Sequence, residues 1–167
     1  MNRGKIMIRA LNTDDLEAIL TVVNDGARAY CGVIPKDCWQ EPYMPREELL
    51  TELDAGVQFW GLEKSGQLAG VMGRQELPGV TLIRHAYVRT DWQRQGIGGI
   101  LLAQLLQGLK PPVLVGTWAA AWWAVKFYED HGFRLVTPAE KDRLLRTHWT
   151  ISDRQVETSV VLDWQGK

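Results

Sequence analysis

The chain has 167 residues, with 19 Lys and Arg against 20 Asp and Glu, for a net charge of −1. That length suits a single domain over residues 1–167 able to bury its own core. The charge balance excludes a general nucleic-acid binder, and no apolar run approaches a membrane span. Two cysteines, Cys31 and Cys38, make neither a disulfide framework nor a metal site, which fits a reduced, cytoplasmic setting. Met1-Asn2-Arg3-Gly4-Lys5 leads into too short an apolar segment for a signal peptide. Eight tryptophans is a high count for this length. Trp39, Trp92, Trp118, Trp122 and Trp149 fall outside obvious core patterns and point to aromatic-lined surfaces.

Ile6-Met7-Ile8-Arg9 reads as a first strand. Asn12-Thr13-Asp14-Asp15 offers helix caps, and Leu16, Ile19, Leu20 and Val23 recur at helical spacing through about Tyr30. Gly32, Pro35 and Pro42 make Cys31 to Met44 a loop. Pro45 opens a second helix that runs to about Ala55. Strands follow over Val57 to Glu63 and Leu68 to Glu76, joined by a turn at Ser65-Gly66-Gln67. After a turn at Pro78-Gly79, Val80 to Arg89 is a further strand. A helix from Gly98 to Leu109 buries Leu101, Leu102, Leu105 and Leu106 and stops at Pro111-Pro112. Val113 to Thr117 is a short, wholly apolar strand of the kind buried at a sheet centre. Ala119 to His131 is a helix closed by Gly132, Phe133 to Thr137 a strand, Pro138 to Gln155 a charged connection, and Val156 to Trp164 a last strand.

The most informative stretch is Tyr87 to Gly99. A strand ends in a polar turn that holds Gln93, Arg94, Gln95 and three glycines, and a helix begins. The first N–H groups of a helix lack intrahelical partners and carry the positive end of its dipole. Glycines let an anion come close to them, and Arg94 adds charge. A Walker loop needs Lys-Ser/Thr after its last glycine, and Ile100 follows Gly99. The dinucleotide pattern Gly-x-Gly-x-x-Gly near the start of a βαβ unit is absent as well. What remains is Gln-x-x-Gly-x-Gly, Gln93 to Gly98.

This motif resembles the pyrophosphate loop of the GCN5-related N-acetyltransferase (GNAT) superfamily. A second signature stands at the expected distance. Phe127-Tyr128-Glu129-Asp130-His131-Gly132-Phe133 resembles the family's helix ending and following strand. The element order β-α-α-β-β-β-α-β-α-β-β is also the family's, so the resemblance covers nearly the whole chain. It implies an α/β (α+β) fold: a central mixed, largely antiparallel twisted sheet of about seven strands with helices on both faces.

The resemblance also implies an acetyl-CoA-dependent N-acetyltransferase that passes the acetyl group directly to a primary amine of a small molecule or peptide. No metal is expected. The pyrophosphate would lie on Gln93, Arg94, Gln95, Gly96, Ile97, Gly98 and Gly99. The pantetheine arm would pair with the main chain of Ala86, Tyr87 and Val88, where the fourth strand splays from the fifth, and the Val88 N–H would polarise the thioester carbonyl. Tyr128 would lie near the sulfur and donate to the departing thiolate. Two positions depart from the family pattern: Ala121 stands where many members have an Asn on the cofactor arm, and Leu82 where some have a base Glu.

The base is left among His85, whose residue type ordinarily titrates near 6.5, and a water relay, with Glu76 as one route. A bulge decides whether Arg84 or His85 faces the acceptor. The acceptor side, Cys31 to Met44 and His148 to Gln155, mixes signals. Trp39, Glu41, Tyr43 and Trp149 suit a cationic amine, whereas Arg154 suits a carboxylate. A longer acyl donor and a non-catalytic acetyl-CoA sensor are the alternatives. The partners expected are an amine and neither nucleic acid nor membrane, with a homodimer left open.

Overall fold

The computed structural model describes residues 5–166. Residues 1–4, which hold most of the segment read against a signal peptide, lie outside the described residues. Seven strands run in the sheet order β1-β2-β3-β4-β5-β7-β6. They are β1 (Ile6–Ala10), β2 (Gln58–Lys64), β3 (Gln67–Leu77), β4 (Val80–Val88), β5 (Val113–Trp118), β6 (Phe133–Leu135) and β7 (Ser159–Trp164). Helices are α1 (Leu16–Gly26), α2 (Arg46–Asp54), α3 (Ile97–Leu106), α4 (Trp122–Asp130), α5 (Pro138–His148) and α6 (Asp153–Thr158). The sheet is mixed, and the pairs β1·β2, β2·β3, β5·β7 and β6·β7 are antiparallel. The chain forms two compact units. The first comprises Met1–Ala29, Gln40–Glu76 and Ile83–Gly108, and the second Tyr30–Trp39, Leu77–Leu82 and Leu109–Lys167.

The first unit gathers β1 to β3, the end of β4, and α1 to α3. A capping box at Asn12 and Asp15 starts a 3-10 turn that leads into α1, and Arg9 joins Asp15 to Glu63 of β2 at 2.7 and 2.9 Å. The guanidinium holds the Asp15 carboxyl below its ordinary value. Leu16, Ile19, Val22 and Val23 of α1 pack with Leu49, Phe59 and Val71 in one buried cluster. Asn24 clamps the chain before α2, accepting from Met44 N at 2.7 Å and donating to its carbonyl at 3.1 Å. On α3, Ile97, Leu101, Leu102 and Leu105 are buried.

In the second unit Val80 and Leu82 pack with Leu114, Leu144, Leu145, Val156 and Val161. Here the structure corrects the reading of Pro138 to Gln155 as a connection, because this stretch holds α5 and the first half of α6. Thr137 caps α5 by accepting from Glu140 N, with Pro138 at the first turn. Ser152 caps α6 by accepting from Gln155 N. The last strand accordingly begins at Ser159 rather than Val156. The other strands match to within a residue or two at most ends, while α1 stops at Gly26, where a 3-10 turn takes over to Tyr30.

Candidate active site

The end of β4 and the start of α3 carry the glycine loop that the sequence reading expects to hold an anion. Gly96 caps α3 in the left-handed region (φ 78°), with no side chain bonded to the helix end and no acidic residue in the first turn. The first intrahelical bond runs from Ile100 N to the Gly96 carbonyl at 3.1 Å. The N–H groups of Ile97, Gly98 and Gly99 are thus left at the positive end of the dipole. Arg94 is also left-handed (φ 64°). These features fit a pyrophosphate: donors, positive potential, and no side chain in the way.

Neighbouring groups hold the loop in this shape. Asp25, at the end of α1, accepts from Thr90 N at 2.7 Å and from Thr90 Oγ1 at 3.1 Å. Gly26 lies so close to β4 that a Cβ there would stand 3.0 Å from the Val88 carbonyl oxygen. Gln93 turns back, donating from Nε2 to the Val88 carbonyl at 3.3 Å. Gln95 accepts from Lys64 Nζ at 2.7 Å, and that ammonium lies 5.6 Å from the Trp92 ring. The side chains of Gln93 and Gln95 therefore shape the loop. Lys64 and Asp25 escaped the sequence reading because β2 and α1 bring them in from far along the chain. Among the expected cofactor positions, Ala86, Tyr87 and Val88 occupy the last turn-free residues of β4, and the Tyr87 ring meets Tyr43 edge-on at 6.3 Å.

His85 is the backbone irregularity of β4. Its φ of 56° puts a non-glycine residue in the left-handed region in mid-strand, a conformation uncommon for such a residue. Its ring stacks on Phe59 at 5.9 Å. Nε2 lies 3.5 Å from Glu52 Oε2 of α2, and both side chains are only 15% exposed. Arg84 Nη1 lies 2.8 Å from the same oxygen. Arg84 also donates from Nη2 to Glu52 Oε1 at 3.2 Å and from Nη1 to Gln75 Oε1 at 3.1 Å. Burial opposes the charge on Glu52, but His85 and Arg84 together outweigh it and hold the carboxyl below its ordinary value. Burial likewise draws the Arg84 guanidinium down, with Glu52 and Glu48 acting against it. Leu82, expected from the resemblance to stand in place of a base glutamate, is fully buried. Glu76 is 68% exposed and faces Arg74 at 3.6 Å.

Tyr128 belongs to the second unit. It is 5% exposed and packs edge-on against Phe127 and Phe133, with centroids at 5.0 and 5.4 Å. Burial, with a smaller contribution from Tyr30, raises its phenol above the ordinary value, so it stays protonated at any working pH. Gly132 ends α4 with φ 89°, which accounts for the glycine of that motif. Ala121 is buried at the N-cap of α4 and supplies no side-chain cap.

The tryptophans divide. Trp118 is buried and Trp149 packs against the core of this unit, against expectation, while Trp122 is 69% exposed and Trp123 stacks with Tyr30. Arg154, read as a carboxylate receptor, is engaged by Asp37 at 2.9 and 3.3 Å. Among the described residues no group of three or more His, Cys, Asp or Glu could hold a metal ion, and no helix is long and apolar enough to cross a membrane.

Comparison with known proteins agrees with this architecture. No curated protein matches the chain in sequence. Among solved structures it is similar to PaiA N-acetyltransferase from Thermoplasma acidophilum in complex with coenzyme A, at 18% identity and TM-score 0.72, covering 96% of this chain and 98% of that one. It is similar to a GNAT-family acetyltransferase from Staphylococcus aureus Mu50, at 17% identity and TM-score 0.69, covering 94% and 98%. It is similar also to the ribosomal-protein-S18-alanine N-acetyltransferase from Escherichia coli, at 17% identity and TM-score 0.66, covering 96% and 93%. At these identities the likeness is one of fold. The profile of the Acetyltransferase (GNAT) domain matches residues 20–148, well over half of the sequence, and the chain belongs to the GNAT acetyltransferase family.

Proposed function

We propose that this acetyltransferase uses acetyl-CoA and passes its acetyl group directly to a primary amine of a small molecule or peptide. The observation that carries the reading is the uncapped start of α3, with Gly96 left-handed and no acidic side chain in the first turn. The free thioester carries an electrophilic carbonyl and a thiol leaving group. The chain's own groups do the rest. Backbone N–H groups of Ile97 to Gly99 and the Arg94 guanidinium bind the pyrophosphate. The Val88 N–H would be the donor to the carbonyl oxygen, and one such donor contributes about 3 kcal/mol. By the family resemblance Tyr128, held neutral by burial, would be the donor to a departing sulfur. A phenol with a raised pKa is a poor acid toward a thiolate, whose parent thiol ionises near 8.5, so Tyr128 acts more by hydrogen bonding than by full transfer.

A reducing, cytoplasmic setting suits the free Cys31 and Cys38. The acceptor is a cationic amine in solution, and the carboxylates of α2 beside β4 suit one. Leu82 and Ala121 in place of the family's polar residues favour a second reading, a sensor that binds acetyl-CoA without turnover, and a longer acyl group remains a third. Calorimetric titration of the protein with CoA, with Gly96→Val beside it, tests the binding. Saturable binding lost in a folded variant supports the reading, and equal affinity in both refutes it. A thiol-release assay over a panel of amines and acyl-CoA chain lengths separates the three readings.

A further inference from the structure

Resting on the transferase reading above, we propose that Glu52 is the positioning carboxylate of His85, so that the pair draws the proton from the acceptor amine in place of the glutamate this chain lacks on β4. Among the described residues, the fully buried side-chain polar atoms without a hydrogen bond are Glu52 Oε2, Trp60 Nε1, His85 Nε2 and Trp164 Nε1. Two of these four face each other at 3.5 Å. Glu52 Oε2 also has the Arg84 guanidinium at 2.8 Å, so the buried atom that calls for an explanation is His85 Nε2, whose nearest acceptor is that carboxylate. The His85–Glu52 distance is longer than a good N–H···O bond, as pairs that tighten only during reaction often are. The protein spends backbone strain to make it: His85 occupies the left-handed region, and its ring is fixed by Phe59. Strain of that kind persists where surrounding structure enforces it, commonly at sites of function.

The surrounding charges support the role. Arg84 keeps Glu52 ionised, reaching both carboxylate oxygens, and is itself held by Gln75, which also donates to the Ala55 carbonyl at the end of α2 at 2.9 Å. Glu48 lies one turn earlier on α2 and is exposed as a residue, but desolvation raises its carboxyl against the pull of His85 and Arg84. The charged groups facing the imidazole are therefore Glu52 and Glu48 from α2 and Arg84 from β4, with apolar Phe59 from β2. With an Nε2 proton held toward Glu52, the lone pair falls on Nδ1. The ammonium of the acceptor gives up one proton, Nδ1 takes it, and the resulting imidazolium is stabilised by the Glu52 carboxylate and later returns the proton to solvent. Val88 is three residues further along β4, about 10 Å at ordinary strand rise, so ordered water carries the proton over part of the way.

The test is the pH profile of kcat/KM in a thiol-release assay, using acetyl-CoA and the fastest amine of a panel, for wild type, Glu52→Gln, His85→Gln and the double variant. Glu52→Gln is expected to lower kcat roughly ten- to a hundred-fold, within the range for positioned proton transfer, and to move the acidic limb to lower pH, because an imidazole without its carboxylate is less basic. CoA affinity by calorimetry is expected to stay as in wild type, and the double variant to be no slower than His85→Gln. A wild-type limb in Glu52→Gln, or additive losses in the double variant, overturns the relay and leaves the transferase reading standing. If CoA binds but no amine is turned over, the transferase reading falls and the relay with it. Should Glu52→Gln not fold, Glu52→Asp takes its place. A limb kept at its wild-type position with lowered kcat supports the relay, and unchanged kcat overturns it.

Discussion

The loop from Gln93 to Gly99 is built on its backbone, whereas the cluster around His85 is built on side chains, although both belong to the same unit. The loop exposes Gln93 to Gly96 and offers main-chain N–H groups held by a left-handed glycine and an uncapped helix end. The cluster sinks Glu52, Arg84 and His85 between α2, β3 and β4, with each polar group held by another. A backbone site tolerates changes of side chain but not of conformation. A side-chain cluster does the opposite: its charges balance only together, and removing one leaves the others buried and unmatched.

The largest effect is expected where conformation is forced. At Gly96 an added side chain would meet open space within 4 Å, so a substitution there acts through φ of 78° alone. Valine is a true outlier in that region, and Gly96→Val is expected to cost about 1–3 kcal/mol of local strain. The loop relieves it by changing shape, and CoA affinity is expected to fall by more than about a hundred-fold, with the thermal midpoint within a few degrees of wild type. Calorimetry and a melt on one preparation check both halves.

Arg84→Leu breaks the comparison from the other side. It removes the cation that compensates Glu52 and is expected to destabilise the fold toward the lower end of the roughly 3–5 kcal/mol typical of a broken buried pair, since these side chains keep some exposure. Chemical denaturation measures this, and CoA affinity of the folded fraction is expected to persist. In the second unit, Tyr128→Phe keeps the packing against Phe127 and Phe133 and loses only the hydroxyl. Turnover is expected to fall roughly ten- to a thousand-fold, with little change in stability.

The smallest effect concerns pH. The folded carboxyl of Glu52 lies below its ordinary value, so its contribution to stability is present above the unfolded value of about 4.3 and is lost as pH falls through the folded one. Glu48 is raised and contributes with the opposite sign, being favoured below the unfolded value and lost as pH rises through the folded one. Wild type is therefore expected to lose more stability than Glu52→Gln on acidification below about pH 4.3. Parallel melts across that window would show otherwise if the two curves stayed a constant distance apart.

The same contrast explains what was legible in the sequence. A site made of backbone needs glycines at fixed offsets from a helix start, so Gly96, Gly98 and Arg94 stand together in the chain and announce it. The Glu52–His85 pair has no such spacing, because its partners come from α2 and β4 and meet only through the fold. His85 was visible as a polar residue in an apolar strand, but its left-handed backbone was not. Helices α5 and α6 were missed for a different reason. Leu144 and Leu145 leave α5 only a thin apolar stripe, yet Thr137-Pro138-x-Glu140 and Ser152-x-x-Gln155 carry the capping pattern that marks a helix start. Trp149 stands outside any apolar period in the sequence, and its burial depends on packing with Leu144, Leu145 and Val156 of α5 and α6.

The central claim is that this chain moves an acetyl group from acetyl-CoA to an amine, and the most direct measurement follows both products in one reaction. Purified protein is incubated with acetyl-CoA and an amine panel, free thiol is read by a colorimetric reagent, and the N-acetylated amine is quantified by mass spectrometry. The expected result is one acetylated amine per thiol released, abolished in Gly96→Val. Thiol release without acetylated amine, or full turnover in that variant, would contradict the account.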